Sequence, residues 1–325
     1  MNKIVSLLCV AIAPIVSFSQ QVDYSVVSVP EETGTNFTRI TTDNDYVCMP
    51  EVRRNSNGAD WLTNKILDVT TDGEKIAFLS YRSGHTNVFV KDLARQGAAV
   101  QRTNRNLVLD FSYSPDGKYL TFSETVLKTN VIYQTDANSG FVCRQITSGN
   151  KDYTPVYSPD MSKIFFSRLE AKTSSIWSYD IKNNFLSSYA IGMNPCATDK
   201  DNVLLCVRTN GFGNGEIWRI NYTTGVEECI VSDALKSFST PSISPDGKWI
   251  LFVASSALPA GTSYYWNTDI YVCREDGTQL SQLTYHAADD LSPVWSRDGN
   301  YIYFISQRGS AEGTANVWRM SFNLY

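Results

Sequence analysis

The 325-residue sequence predicts an all-β fold: a six-bladed β-propeller of four-stranded antiparallel blades, the last blade closed by the N-terminal strand. Three observations predict it. The tetrapeptide Ser114-Pro115-Asp116-Gly117 recurs, each copy with an apolar run behind it. The copies are regularly spaced, and no stretch shows a convincing helical apolar period.

Ser at the first position, Pro at the second and Gly at the fourth are type I turn preferences, and the closing Gly can adopt positive φ, so each copy reads as a corner between two strands. The other copies are Thr70-Thr71-Asp72-Gly73, Ser158-Pro159-Asp160-Met161, Ser244-Pro245-Asp246-Gly247 and Ser296-Arg297-Asp298-Gly299. The runs behind these four read KIAFLS, KIFFSR, KWILFV and YIYFIS. From Asp to Asp the spacings are 44, 44, 86 and 52 residues. The value 86 is twice 43, so a degenerate copy is expected near residue 200, where Thr198-Asp199-Lys200-Asp201-Asn202 precedes the strand VLLCVR. Six repeats at about 40 to 50 residues fall in the range of propeller blades.

Blade two shows the four strands most clearly, with strand a near 109–113, b near 119–123, c near 131–135 and d near 142–147. In blade six, strand c (315–322) is followed by only Asn323, Leu324 and Tyr325, so the outer strand is missing there. The segment 35–41, TNFTRIT, resembles the ends of outer strands such as CRQIT at 143–147 and LSQLT at 280–284. It is therefore expected to complete the last blade, which removes the free sheet edges of an open ring. Residues 21–325 form one propeller domain with no internal linker.

The first 20 residues carry Lys3, an apolar stretch from Ile4 to Val16 and small residues around Phe18. They read as a secretory leader cleaved near Ser19 or Gln20, which implies a periplasmic or secreted product. No other stretch has the run of about 18 apolar residues that a membrane-spanning helix needs. The formal net charge is −5, with no basic run, which disfavours nucleic acid as a partner. The six cysteines beyond the leader, Cys48, Cys143, Cys196, Cys206, Cys229 and Cys273, show no CxxC pair or metal-finger spacing. Cys143, Cys206 and Cys273 lie in expected strands as small apolar residues. Cys196 and Cys206 share one expected hairpin, one residue off direct opposition, and permit a disulfide.

Function in such a ring is expected on the face carrying the b to c loops. Four blades place an arginine at or just beyond the end of strand b: Arg82, Arg168, Arg208 and Arg308. A ring of guanidinium groups could hold carboxylates or phosphates bidentately. The competing reading pairs each arginine with an Asp or a carbonyl of the adjacent blade. The longest b to c connection, 255–268, carries Tyr264, Tyr265 and Trp266, aromatics suited to stacking on sugars or anchoring a peptide, or to capping the channel mouth. Blade four offers the loop 209–215, TNGFGNG, with Phe212 at its centre. His85 and His286 lie on connections of the same face, too few to assign a metal site, and no cofactor is assigned. No nucleophile and base form a pair, and the acidic pairs Asp289-Asp290 and Glu227-Glu228 read as solvated loop carboxylates.

The SPDGK turn followed by an apolar strand, with Arg and Gly just beyond it (Ser80-Tyr81-Arg82-Ser83-Gly84; Ser306-Gln307-Arg308-Gly309), resembles the TolB-like, WD-type propeller repeat of exported bacterial proteins over residues 35–325. The resemblance implies the propeller fold and leaves function open. The TolB translocation protein has an α/β domain ahead of its propeller, whereas only a short segment precedes the first outer strand here. Dipeptidyl-peptidase-like relatives append a hydrolase domain with G-x-S-x-G, a motif this sequence lacks. Oligogalacturonate lyases use several metal-binding histidines, and only His85 and His286 occur here. The expected function is therefore that of a non-catalytic, monomeric binding propeller for a protein, peptide or glycan. The alternatives are a polysaccharide lyase or hydrolase and a TolB-like envelope assembly factor.

Overall fold

The computed structural model describes residues 24–50, 52–54, 60–95, 97–140, 142–170, 173–198, 202–257 and 266–323, with backbone alone at 52–54, 60–63, 257 and 266. Six four-stranded antiparallel sheets follow one another around a ring. Blade one comprises Leu67–Val69, Lys75–Ser80, Asn87–Asp92 and Val100–Gln101, and blade two Val108–Tyr113, Tyr119–Val126, Thr129–Asp136 and Cys143–Gln145. Blade three runs through Asp152–Tyr157, Lys163–Leu169, Ser174–Asp180 and Phe185–Ile191, and blade four through Met193–Ala197, Val203–Thr209, Gly215–Asn221 and Glu227–Val231. Blade five is built from Lys236–Ile243, Trp249–Ala257, Trp266–Arg274 and Ser281–Gln282. Blade six takes Asp290–Trp295, Tyr301–Ser306 and Asn316–Ser321 from the C-terminal end. Its fourth strand is Phe37–Arg39, paired antiparallel with Phe37 opposite Met320 and Arg39 opposite Trp318.

The repeated turn works through its side chains. Ser114 Oγ donates to Asp116 Oδ1 (2.7 Å) and accepts from the Tyr119 N–H (2.9 Å), while Asp116 Oδ1 also accepts from the Lys118 N–H (3.1 Å). Gly117 closes the corner at φ 72°. The same hydroxyl-to-carboxylate bond recurs at Thr70–Asp72, Ser158–Asp160, Ser244–Asp246 and Ser296–Asp298. In all five turns this bond holds the carboxyl below its usual range. Blade four keeps the frame, since Thr198 N–H bonds the Val203 carbonyl as Ser114 N–H bonds that of Tyr119. Residues 199–201 of that corner lie outside the described residues.

The strand b runs are buried on both faces, as Ile76, Phe78, Phe122, Phe165, Phe252 and Phe304 show, because each sheet packs against a neighbouring blade on either side. At the axis the inner strands of blades three to six each carry one residue in the left-handed region followed by proline: Thr154-Pro155, Asn194-Pro195, Thr240-Pro241 and Ser292-Pro293. Each coincides with a break in strand register, so these four inner strands bulge at the same place. These prolines, with Phe111 and Lys65, leave an axial cavity of only about 40 Å³. The channel is narrow at this height.

Two segments of the N-terminal region were not legible as part of the ring. The first is a strap ahead of the closing strand, which lies along the blade-six b to c loop. Gly309 N–H bonds the Val26 carbonyl, and Ser310 N–H bonds that of Tyr24. The second is the connection from Ile40 to Ile66, which runs along blade one (Cys48 N–H to Leu79 O, Tyr81 N–H to Tyr46 O) and then makes a hairpin, Val52–Arg54 with Asp60–Thr63. That hairpin packs on the inner strands of blades five and four, which lays it over the channel mouth. The sequence between the two strands contains Asn57-Gly58, a hairpin signal, in a segment (55–59) outside the described residues.

Cys48, Cys143, Cys196, Cys206, Cys229 and Cys273 are all free thiols. Cys196 stands opposite Leu205, so the one-residue offset from Cys206 is real and the disulfide does not form.

Candidate functional site

Arg168 and Arg208 sit at the end of strand b in blades three and four, and each is consumed where it stands. Arg168 makes a fork to Asp152 on the inner strand of its own blade (2.7 and 3.0 Å) and lies over the Trp177 ring at 4.1 Å. Arg208 holds Glu227 on its own outer strand (2.8 Å) and the Ile191 carbonyl (3.0 Å), stacked over Trp218. The carboxylate partners thus come from the same blade, not from the adjacent one. Glu228 is likewise paired, with Arg219.

Arg308 is fully buried. Its guanidinium bonds both Glu32 oxygens (3.0 and 3.1 Å), Asp290 Oδ2 (2.5 Å) and the Val27 carbonyl (3.1 Å), over the ring of Phe37. Asp269 joins this nest, its carboxyl pushed up to about 9 by burial and by Asp290, Asp289 and Glu32, against the pull of Arg308. His286 is also buried, and its Nδ1 accepts from the Ala288 N–H (2.8 Å), which leaves the proton on Nε2. Burial and Arg308 push the imidazole below its usual value, so it is neutral. Among the described residues no group of three His, Cys, Asp or Glu is placed to hold a metal ion. His85 lies exposed in the blade-one loop, apart from His286, and the two do not meet.

Phe212 is exposed at the tip of the blade-four loop. Strands b and c of blade five extend to Ala257 and Trp266, so the expected loop at 255–268 shortens to 258–265; Ser255 pairs with Thr268. Tyr264 and Tyr265 lie outside the described residues, as does the side chain of Trp266.

The concave feature of the b to c face lies elsewhere. Between blades six, one and two a groove of about 680 Å³ opens beside the channel mouth, lined by Met49, Tyr81, Leu107 and Ala315 among other apolar groups, with Asn64, Thr86 and Glu312 as polar points. Tyr81 and Leu107 are about half exposed, and Tyr46 packs edge-on against Tyr81 at 5.3 Å. Cys48 lies in its wall, where burial pushes the thiol up to about 11 and makes it a neutral apolar group. Asn64 is buried: its Nδ2 donates to the Leu109 carbonyl (3.1 Å), while its Oδ1 has no hydrogen-bond partner. A groove of mixed apolar and polar lining suits a ligand that combines apolar side chains with polar backbone groups. Of the arginines anticipated here, only Arg82 is near, exposed on the loop that carries Tyr81 and without an ion-pair partner among the described residues.

A family model described as the TolB beta propeller domain matches residues 18–260, more than half of the sequence. The chain belongs to the TolB β-propeller family. Among solved structures it is similar to a putative TolB from Agrobacterium tumefaciens (17% identity, TM-score 0.60, covering 89% of this chain and 98% of that one). TolB from Acinetobacter baumannii matches at 19% identity and TM-score 0.59, over 82% of this chain and 67% of that one. An oligogalacturonate lyase from Vibrio parahaemolyticus matches at 14% identity and TM-score 0.59, over 92% and 96%. At these identities the likeness shows the fold.

The residues that line the groove were missed because they carry no motif. Their signal is the long connection from Ile40 to Ile66, which exceeds what is needed to step from an outer strand to the next inner one.

Proposed function

We propose that this TolB-family propeller is an exported binding protein, without catalytic chemistry of its own, that takes an extended apolar segment of a protein partner in the groove between blades six, one and two. The observation that carries this reading is the groove itself, with Met49, Tyr81, Leu107 and Ala315 along its walls and Thr86 and Glu312 as polar points. An extended peptide supplies apolar side chains and backbone N–H groups together, whereas a polyanion needs cations, and none lies among the described residues of the lining. The lyase or hydrolase reading needs the arginines converging on an open pocket. Arg168, Arg208 and Arg308 are each held by a carboxylate instead, and Arg82 has no ion-pair partner among the described residues. Export rests on the leader at 1–20, and no helix among the described residues is long and apolar enough to cross a membrane.

The test is selection of a phage-displayed library of linear peptides against the mature protein. Replacing Leu107 by Asp puts a charge on the groove wall and should weaken the selected peptides at least tenfold, about 1.4 kcal/mol. The triple change of Tyr264, Tyr265 and Trp266 to Ala should leave them bound. The reverse outcome moves the site to the blade-five loop and refutes the groove.

A further inference from the structure

Four of the six outer strands are two or three residues long: Val100–Gln101, Cys143–Gln145, Ser281–Gln282 and the closing Phe37–Arg39. Short edge strands offer little for another chain to pair with. Blade four has five residues, Glu227–Val231, but opens with two carboxylates held by Arg208 and Arg219, a charged edge. Blade three is different. Its outer strand, Phe185–Ile191, has seven residues reading FLSSYAI, with no charge, proline or glycine, and the sheet ends there. Phe185 and Ile191 at its two ends are 64% and 69% exposed, and Ser188 between them is exposed as well. A register break at Ala190 and Ser188 sets Tyr189 off, which leaves Phe185–Ser188 as the regular stretch, paired inward from Asp180 to Trp177.

We propose that this edge pairs antiparallel with the same strand of a second copy of the chain, about a two-fold axis, so that two blade-three sheets become one eight-stranded sheet. The occupant is argued from charge and from the strand itself. Two copies of a chain with formal net charge −5 repel over most of their surfaces, and this edge is where they meet without like charges. Antiparallel pairing about an axis between Leu186 and Ser187 sets Phe185 of each copy opposite Ser188 of the other and Leu186 opposite Ser187, a hydroxyl against an apolar group in every pair. A four-residue ladder buries little surface, so the association belongs to the weak class and depends on concentration. This pairing is independent of the groove.

The experiment is sedimentation equilibrium of the mature protein across a concentration series, with hydrogen exchange at the two ends of the series. The expected result is a mass average that rises from one copy toward two, with slower exchange in 185–188 at high concentration. Phe185→Lys and Ser188→Lys both fall at exposed positions and place the charge that natural edges use against pairing. Each should move the association midpoint at least tenfold higher and return the exchange rates to monomer values, while circular dichroism stays unchanged. A protein that remains a single copy up to about 1 mM, or a dimer that persists in both lysine variants, overturns the proposal.

Discussion

Blades one and six carry the same loop and use it in opposite ways. In each, an arginine sits two residues beyond the last serine of strand b, and its N–H bonds that serine's hydroxyl at 3.1 Å, Arg82 to Ser80 and Arg308 to Ser306. From there the side chains part. Arg308 turns inward onto Asp290 and is covered by the strap that brings Glu32, whereas Arg82 stays in solvent. The residue that decides this lies on strand a. Asp290 precedes its turn by the same interval as Asn64 precedes the blade-one turn, so blade one has a neutral amide where blade six has the carboxylate. The space that the buried ion pair and strap fill in blade six is left in blade one as groove, with Asn64 in its lining. The same repeat position thus holds an acid where the arginine is buried and an amide where it is exposed.

The largest test of that difference is to remove each guanidinium in turn. Arg308→Ala leaves Asp290 and Glu32 buried without their cation and should cost about 3 to 5 kcal/mol of stability, read by denaturant unfolding. Arg82→Ala, at an exposed position, should change stability by no more than about 0.5 kcal/mol. Equal costs would mean that the acid at Asp290 does not separate the two blades.

The second test uses the surplus of acid in blade six. Asp269, beside Asp290 and Glu32, has its carboxyl pushed up to about 9, chiefly by burial, against a usual 3.8. The folded ring then keeps a proton that the unfolded chain has released. That contribution is complete below the usual value and is lost as pH rises from about 4 toward 9, by at most about 1.4 kcal/mol per pH unit. The five turn aspartates have the opposite sign: their depressed values give stability above the usual carboxyl range that disappears as pH falls through it. The two windows do not overlap. Asp269→Asn keeps the shape and an acceptor for the amides of Asn267 and Gln282, and should flatten stability between pH 5 and 9. A slope that survives the change would place the shared proton elsewhere in the nest.

The ring was legible because its signals are local and repeated. Ser114-Pro115-Asp116-Gly117 fixes its own geometry through Ser114 and Asp116, so each copy marks a blade wherever it stands, and the relic at Thr198 kept the frame after losing Pro and Gly. The closing strand was readable for the same reason. What lay beyond sequence depends on residues far apart in the chain. Glu32 meets Arg308 across 276 positions, and no spacing rule announces that pair. Nor does any motif mark the Thr154, Asn194, Thr240 and Ser292 bulges as the pinch of the channel, although the recurring small polar residue before proline was there to be seen. The arginines were found and their surroundings were not, because burial depends on Asp152, Glu227 and Asp290, each on a different strand from its partner.

The smallest test concerns the seam between the two blades. Blade six carries Arg297 where the SPDG copies have the turn proline, and its guanidinium reaches across to the Thr70 and Val69 carbonyls of blade one. Arg297→Pro restores the repeat. Proline pre-sets φ for the second turn position and should return about 0.4 to 1 kcal/mol through the unfolded chain, while two hydrogen bonds from a charged donor to exposed-edge carbonyls are lost at about 1 kcal/mol each. The net expectation is a loss of about 1 kcal/mol, with faster amide exchange at the blade-six to blade-one junction than at the junction of blades two and three. If the variant is instead more stable and the exchange is unchanged, the ring is held shut at that seam by Ser292, which bonds the Asn64 carbonyl and accepts the Ile66 N–H, and by the packing of the inner strands, with Arg297 contributing nothing.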